Sequence, residues 1–307
     1  MNKEFIYSSL LDILGEENKG NIMVDEPMKK HISFRVGGPA DILVKPNTEE
    51  QIRDIIKLLK EENVPYIVIG NGSNLLVKDG GIRGVVIEIS NNFNDFEIEG
   101  TTVKIKSGAM LSVVGKAVMR KELKGFEFAA GIPGTLGGAL AMNAGAYGGE
   151  MKDIVKSVRL MDTDGNIFEF TNEQMEFEYR KSILTRTDYI VLSAVIELEK
   201  GNYEEIKETM KDFTQRRVTK QPLSLPSAGS TFKRPAGHFA GKLIEDCGLK
   251  GLTLGGAQVS EKHSGFVVNI GNAKAKDLLD LMYVVKSTVN AKFNVLLEEE
   301  VKILGED

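Results

Sequence analysis

GIPGTLGGALAMNAGAYGG, residues 131–149, contains seven glycines and no charged side chain. Flexible linkers are usually polar. This run instead mixes glycine with alanine, leucine and methionine, which suits backbone lying close against another surface. A second glycine loop, GNGSNLLV at 70–77, follows the strand-like Tyr66–Ile69. Successive backbone N–H groups in a glycine-permitted turn form an anion nest, and Ser73 and Asn74 add short polar groups. Neither loop has the GxGxxG dinucleotide pattern or the GxxxxGK[ST] phosphate loop. Together they point to a large, flat, phosphate-bearing cofactor. An ordinary turn at 70–77 and a tight helix-to-strand junction at 131–149 remain the alternatives.

The rest of the chain sets the bounds. With 307 residues, two or three domains are expected. Apolar residues make up 42% of the chain, enough for sizeable cores. No apolar run is long enough for a spanning helix, and the N-terminus reads as an amphipathic helix rather than a secretory signal. One cysteine, Cys247, cannot form an internal disulfide and fits a reducing compartment. A net charge of -5 with mixed signs gives no support for broad nucleic-acid binding. His31, His238, His263 and Cys247 show no metal-ligand spacing.

Thr48 and Gln51 form a capping box for a helix whose apolar stripe is Ile52, Ile55, Ile56 and Leu59. Strands follow at 66–69 and 84–89, and a β-α-β-like unit ends near residue 95. A strand at 101–106, a helix at 110–120 and strands near 154–161, 166–170 and 189–198 give the middle segment α+β character. Tyr203–Lys220 reads as a helix with Ile206, Met210, Phe213 and Val218 turned inward. Helices are expected at 239–247 and 274–291, and Leu296–Leu304 as a closing strand. In that strand Glu300 faces away from Val301 and Ile303. The expected domains are 1–95, 96–200 and 201–307, with a boundary at Gly201–Asn202 and the last few residues packing back on the first.

Three polar positions stand out. Ser230 lies in PSAGSTFKRP beside Lys233 and Arg234, with no His or Asp pattern to make it a hydrolase nucleophile. In a dry pocket its hydroxyl is a proton source; otherwise it caps a turn. Arg180, in FEYRKS, offers a planar fork for a carboxylate or enolate, or a surface ion pair. Glu300, in LEEEVKILG, is a cleft acid or a solvated edge residue.

The combination SFRVGGPAD (33–41), GNGSNLLV (70–77), AGIPGTLGGALAMNAGAYGGE (130–150), YRKS (179–182), QPLSLPSAGSTFKRP (221–235), GGAQVSEKHSGFVVN (255–269) and LEEEVKILG (297–305) resembles the UDP-N-acetylenolpyruvoylglucosamine reductase (MurB) family nearly end to end. The resemblance implies an α+β protein: a vanillyl-alcohol-oxidase/PCMH-type FAD-binding fold of two α/β subdomains plus a C-terminal α/β substrate-binding domain. The short interval between Gln174 and Asp188 is that of the form lacking an inserted tyrosine loop. Non-covalent FAD is then expected against Arg35, Gly37 and Gly38, and against Gly70, Asn71, Gly72, Ser73, Asn74 and Leu75. The second glycine stretch would contribute Gly131, Pro133, Gly134, Thr135, Gly137 and Gly138, followed by Asn143, Gly145 and Ala146.

The implied reaction uses NADPH as reductant. It passes hydride from reduced FAD to C3 of the enolpyruvyl sugar nucleotide and a proton to C2, giving UDP-N-acetylmuramate for peptidoglycan synthesis. The resemblance gives Arg180 and Glu300, the latter as a hydrogen-bond donor, the role of stabilising the enolate-like charge. It gives Ser230 the role of proton donor. Lys220, Lys233, Arg234 and His263 are expected substrate or closure contacts. A cytoplasmic monomer without nucleic-acid or membrane partners is expected. An FAD oxidase or dehydrogenase acting on another substrate is the enzyme alternative, and a non-catalytic nucleotide-binding protein the third reading.

Overall fold

The structure, a computed structural model, describes residues Met1–Asp307. Helix α1 (Lys3–Leu14) precedes strands β1 (Ile22–Pro27) and β2 (Pro39–Val44). Helix α2 (Glu49–Glu61) leads to β3 (Tyr66–Ile69), β4 (Leu75–Val77) and β5 (Ile82–Glu88). The hairpin β6 (Phe96–Glu99) and β7 (Thr102–Lys106) is followed by α3 (Leu111–Arg120), β8 (Leu123–Lys124) and α4 (Leu136–Ala141). Next come β9 (Gly145–Ala146), β10 (Gly149–Glu150), β11 (Val155–Met161), β12 (Ile167–Thr171), β13 (Ile190–Glu197) and β14 (Glu199–Lys200). The chain continues through α5 (Tyr203–Lys220), α6 (Ala240–Asp246), β15 (Thr253–Leu254), β16 (Ala257–Val259) and β17 (Val267–Asn269). It closes with α7 (Ala275–Phe293) and β18 (Lys302–Leu304).

Two compact units emerge. The first takes Met1–Val24, Asp41–Asn71 and Gly84–Gln215; the second takes Asp25–Ala40, Gly72–Arg83 and Arg216–Asp307. The division between the two units falls inside α5, after Gln215.

In the first unit, α2 forms for the reasons its sequence gives. Thr48 Oγ1 accepts from Gln51 N at 3.1 Å, while Gln51 Oε1 accepts from Asn47 N at 2.8 Å, one residue earlier than in the usual reciprocal box. Ile52, Ile55, Ile56 and Leu59 are all fully buried. They join Ile6, Leu10 and Leu14 of α1 and Val85 and Ile87 of β5 in one core, each contributing about 1.5–3 kcal/mol relative to exposure. Strand order here is β1-β2-β5-β3, with β3 parallel to β5.

In the neighbouring five-stranded sheet, β12-β11-β13-β7-β6, the central strand β13 is buried on both faces. Along β13, Ile190 and Leu192 enter the first core and Val191 the second, as the two-residue period requires. Arg159 pairs with Ser193 and Leu160 with Val191, so Leu192 stands in a bulge. The extra residue inverts the facing, and Ala194 and Ile196 point into the second core with Val103, Ile105, Leu136 and Leu140.

Glu197, at the end of β13, lies 2.8 Å from Lys156 Nζ and accepts from the Thr101 and Thr102 hydroxyls. Lys156 and those hydroxyls hold its carboxyl down at about 2, against an ordinary 4.5. A depressed carboxyl stabilises above the unfolded value and loses that contribution as pH falls through the folded one. Glu197→Gln is therefore expected to flatten the fall of Tm between about pH 4.5 and about pH 2. Scanning fluorimetry across that window checks this, and an unchanged slope refutes it.

In the second unit, α7 packs on the β15-β16-β17 sheet through Leu278, Leu281, Met282, Val285 and Val289, a helical stripe. Its first N–H groups are satisfied from elsewhere: Asp79 accepts from Ala275 N at 2.9 Å and Lys276 N at 3.0 Å. β18 runs parallel to β4, pairing Lys302 with Leu75 and Leu304 with Val77.

Two expectations for the C-terminal part need correction. In α5 only Ile206 is buried, and Val218 is 49% exposed. Ile206, Met210 and Phe213 follow helical spacing, but Val218 lies five residues past Phe213 and turns off that face. The closing strand begins only at Lys302. Val301 is buried while Ile303 is 39% exposed, so the two do not share a face. Regular alternation needs a continuous ladder, and residues 296–301 lack one: they make a single bridge, Phe232 to Glu299.

Candidate functional site

Both glycine loops contribute to the first unit, and they meet. Asn71 Nδ2 donates to Pro133 O at 3.0 Å. A Cβ at Gly70 would stand 2.2 Å from Thr135 Oγ1, so only glycine allows this approach. Thr135 is buried, and its segment is zipped to the backbone N-terminal to α3: Leu111 N donates to Gly134 O, Leu136 N to Ala109 O and Gly137 N to Ser107 O. Main-chain bonds thus fix the Gly134–Gly137 segment, and the Asn71 side chain ties the Gly70–Asn71 turn to it.

Arg180 is drawn to the same segment. Its φ of +57° puts it in the left-handed region, within the tight turn where Glu178 pairs with Lys181. The guanidinium lies 5.1 Å from the Tyr179 ring centroid, and Nη2 reaches Gly145 O at 3.4 Å. Asn143, fully buried, donates to Glu178 O at 3.1 Å and to Glu150 at 2.8 Å. Its side chain thus ties the glycine-rich segment to the arginine turn. Two short 3₁₀ turns, Glu173–Met175 and Ile183–Thr185, flank this turn.

The second unit holds Arg35, Gly37, Gly38, Gly72, Ser73, Asn74 and Leu75 together with Ser230 and Glu300. Gly72 has φ +59°, and a Cβ there would meet His31 O at 2.1 Å. Ser33 N donates to Gly72 O at 3.1 Å, and Gly38 N to Lys78 O at 3.0 Å. The SFRVGGP turn therefore lies along residues 72–78.

Ser230 is exposed, and Glu300 is half-buried. They are joined around the single Phe232–Glu299 bridge: Glu300 N donates to Thr231 O at 2.9 Å and Lys233 N to Glu298 O at 2.8 Å. Thr231 is the hub that sequence reading passed over. It is fully buried, its N–H donates to Gly265 O at 2.9 Å, and its Oγ1 accepts from Val267 N at 2.8 Å. Its one visible signal is a small polar residue between Ser230 and the apolar Phe232.

The expected substrate contacts are less concentrated. Lys233 pairs with Glu298 at 3.0 Å, and Arg234 stacks 4.0 Å from the Phe239 ring centroid. Lys220 sits exposed at the end of α5. His263 Nδ1 accepts from Gly265 N at 3.1 Å, which assigns the neutral ring's proton to Nε2. Burial, the largest cause, holds this imidazole below its ordinary value; Lys220 and Lys250 push the same way and Glu245 opposes.

Residues 40–171 match the family described as an FAD binding domain, and residues 221–304 match the UDP-N-acetylenolpyruvoylglucosamine reductase C-terminal domain. A UDP-N-acetylenolpyruvoylglucosamine reductase of Clostridioides difficile (strain 630) is 71% identical over 307 residues, covering all of both chains. The chain belongs to the UDP-N-acetylenolpyruvoylglucosamine reductase family. The reductase of Alkaliphilus oremlandii is 54% identical, again over the whole of both chains. The crystal structure of the Thermus caldophilus reductase superposes with TM-score 0.79 at 35% identity, over 92% of this chain and 97% of that one. A variant of Phl p 4, described as a glucose oxidase, matches 64% of this chain and 44% of its own at TM-score 0.50 and 15% identity, a likeness of fold alone. The fold is thus the vanillyl-alcohol-oxidase/PCMH-type FAD-binding architecture with the reductase family's C-terminal domain.

The residues present fit FAD. A Cβ at Gly70 would meet the Thr135 side chain and one at Gly72 the His31 main chain, so both loop positions need glycine, and a glycine-permitted turn of this kind is what lets backbone N–H groups approach a diphosphate.

Proposed function

We propose that Arg180, Ser230 and Glu300 carry the chemistry of this enzyme, with the two glycine loops holding its cofactor. As a family member the protein is an NADPH-dependent UDP-N-acetylenolpyruvoylglucosamine reductase that forms UDP-N-acetylmuramate for peptidoglycan. The observation that supports this division of labour is the bond from Glu300 N to Thr231 O, next to Ser230. It ties the proposed acid and the proposed proton donor together through main-chain hydrogen bonds around a single bridge.

FAD, which the loops at 70–75 and 131–146 would hold, would supply the two-electron hydride chemistry between NADPH and the enolpyruvyl group. The protein groups do the rest. Arg180 presents two parallel N–H donors to the substrate carboxylate, where negative charge grows in the transition state. The Glu300 carboxyl adds a hydrogen bond to the same charge. The Ser230 hydroxyl hands its proton to C2, and the neighbouring Lys233, its charge shared with Glu298, stabilises the alkoxide left behind. Lys220, Arg234 and His263 are the further substrate contacts of this proposal. His263 enters as a neutral Nε2–H donor. Residues 1–95 and 96–200 would serve FAD, and 201–307 the nucleotide sugar. NADPH and nucleotide sugars are intracellular metabolites, which supports a cytoplasmic enzyme. No helix is long and apolar enough to cross a membrane.

The purified protein is expected to be yellow, with a flavin absorption band released on denaturation. It is also expected to oxidise NADPH continuously only when the enolpyruvyl nucleotide sugar is present. A colourless protein, or equal turnover without that substrate, would overturn the assignment.

A further inference from the structure

LEEEV at 297–301 presents three consecutive glutamates, each with a different anchor. Glu298 pairs with Lys233 at 3.0 Å. Glu299 pairs with Lys286 of α7 at 2.6 Å. Glu300 is fixed through its main chain on both sides: its N–H donates to Thr231 O at 2.9 Å, and its carbonyl accepts from Asn74 Nδ2 at 3.1 Å. Asn74 also uses its own carbonyl, which accepts from Lys302 N at 3.0 Å and starts the parallel β4–β18 ladder.

We infer that Asn74 is the positioning residue of Glu300, linking the glycine loop to the proposed acid rather than spending its side chain on the cofactor. The inference rests on the proposed roles of Ser230 and Glu300. With both peptide groups of Glu300 bonded, its Cα–Cβ direction is fixed, and the carboxyl is left with a few rotamers. The Glu300 N–H bond to Thr231 O joins the two segments, so Ser230 and Glu300 share one reference frame. Without the Asn74 donor the Glu300 carbonyl loses that bond, and the 300–301 peptide is held less firmly. A displacement of about 1 Å at a reacting group costs up to about a hundredfold in rate, and loss of one neutral hydrogen bond about a tenfold.

The test uses Asn74→Leu in the flavin-loaded enzyme, with Asn74→Asp as a second variant that keeps the shape but cannot donate. Expected are unchanged FAD affinity by flavin fluorescence and an unchanged rate of flavin reduction by NADPH. The rate at which the enolpyruvyl substrate reoxidises the flavin should fall about tenfold, with a larger solvent deuterium isotope effect on that step. Weakened FAD binding, or a slowed NADPH step, in either variant overturns the inference, because Asn74 would then be a cofactor ligand. A full reoxidation rate in both variants overturns it too. Ser230→Ala and Glu300→Gln run alongside: if they lose turnover while Asn74→Leu does not, the positioning role alone fails. If they keep full turnover, the proposed site fails and takes the positioning role with it.

Discussion

Ser230→Ala is expected to slow turnover by about 10²–10⁴-fold, the usual contribution of a positioned general acid, while leaving reduction of the bound flavin by NADPH untouched. The reason is local. Ser230 is exposed, and no hydrogen bond of the surrounding segments uses its side chain: Thr231 makes the bonds to Gly265, Val267 and Glu300. Removing the hydroxyl therefore leaves these main-chain bonds standing and deletes only a proton. Stopped-flow absorbance at the flavin band separates the two half-reactions. A variant that kept full turnover would end the proton-donor role. One that lost the NADPH step as well would show that the damage was to cofactor binding rather than to protonation.

Gly72→Ala is expected to give a folded protein that has lost most of its flavin. Two costs combine. At φ +59° an L-residue is strained by about 1–2 kcal/mol. A Cβ would also stand 2.1 Å from His31 O, main chain that has no flexible end to swing aside. The loop must move, and with it the N–H groups proposed to face the diphosphate. An affinity loss of about a hundredfold follows if strain and lost contacts together reach about 2.8 kcal/mol. Gly100→Ala is the control. Gly100 has a similar φ of +62° but nothing within 4 Å, so it bears the strain without the clash. It should cost stability and keep its flavin. Flavin content after purification and FAD titration of the apoprotein measure both variants. Equal flavin occupancy in the two would remove loop 72–74 from the cofactor site.

Much of the fold was legible because its signals are local. The α2 stripe of Ile52, Ile55, Ile56 and Leu59 and the Thr48 cap lie within a few residues of one another, and the structure realises both. The strands at 66–69, 102–106 and 190–197 carry β-branched runs that pack as expected. Where the reading failed, the missing information was distant. Val218 was grouped with Phe213 by hydrophobicity, yet no neighbouring element covers its side of α5. The strand at 296–304 shrank to three residues because its partner, β4, is only three residues long. The bulge at Leu192 depends on how β11 pairs, which nothing in the β13 sequence announces.

The site divides in the same way. The glycine stretches and the motifs around Arg180, Ser230 and Glu300, in their order along the chain, carried the resemblance to the family, and the flavin and the reaction followed from that resemblance. What Asn74 does was not readable from the chain. Its amide reaches a carbonyl 226 residues away, through the register of a parallel strand pair. Only folding fixes that register, because a short parallel ladder is chosen by the packing around it and not by the sequence of either strand.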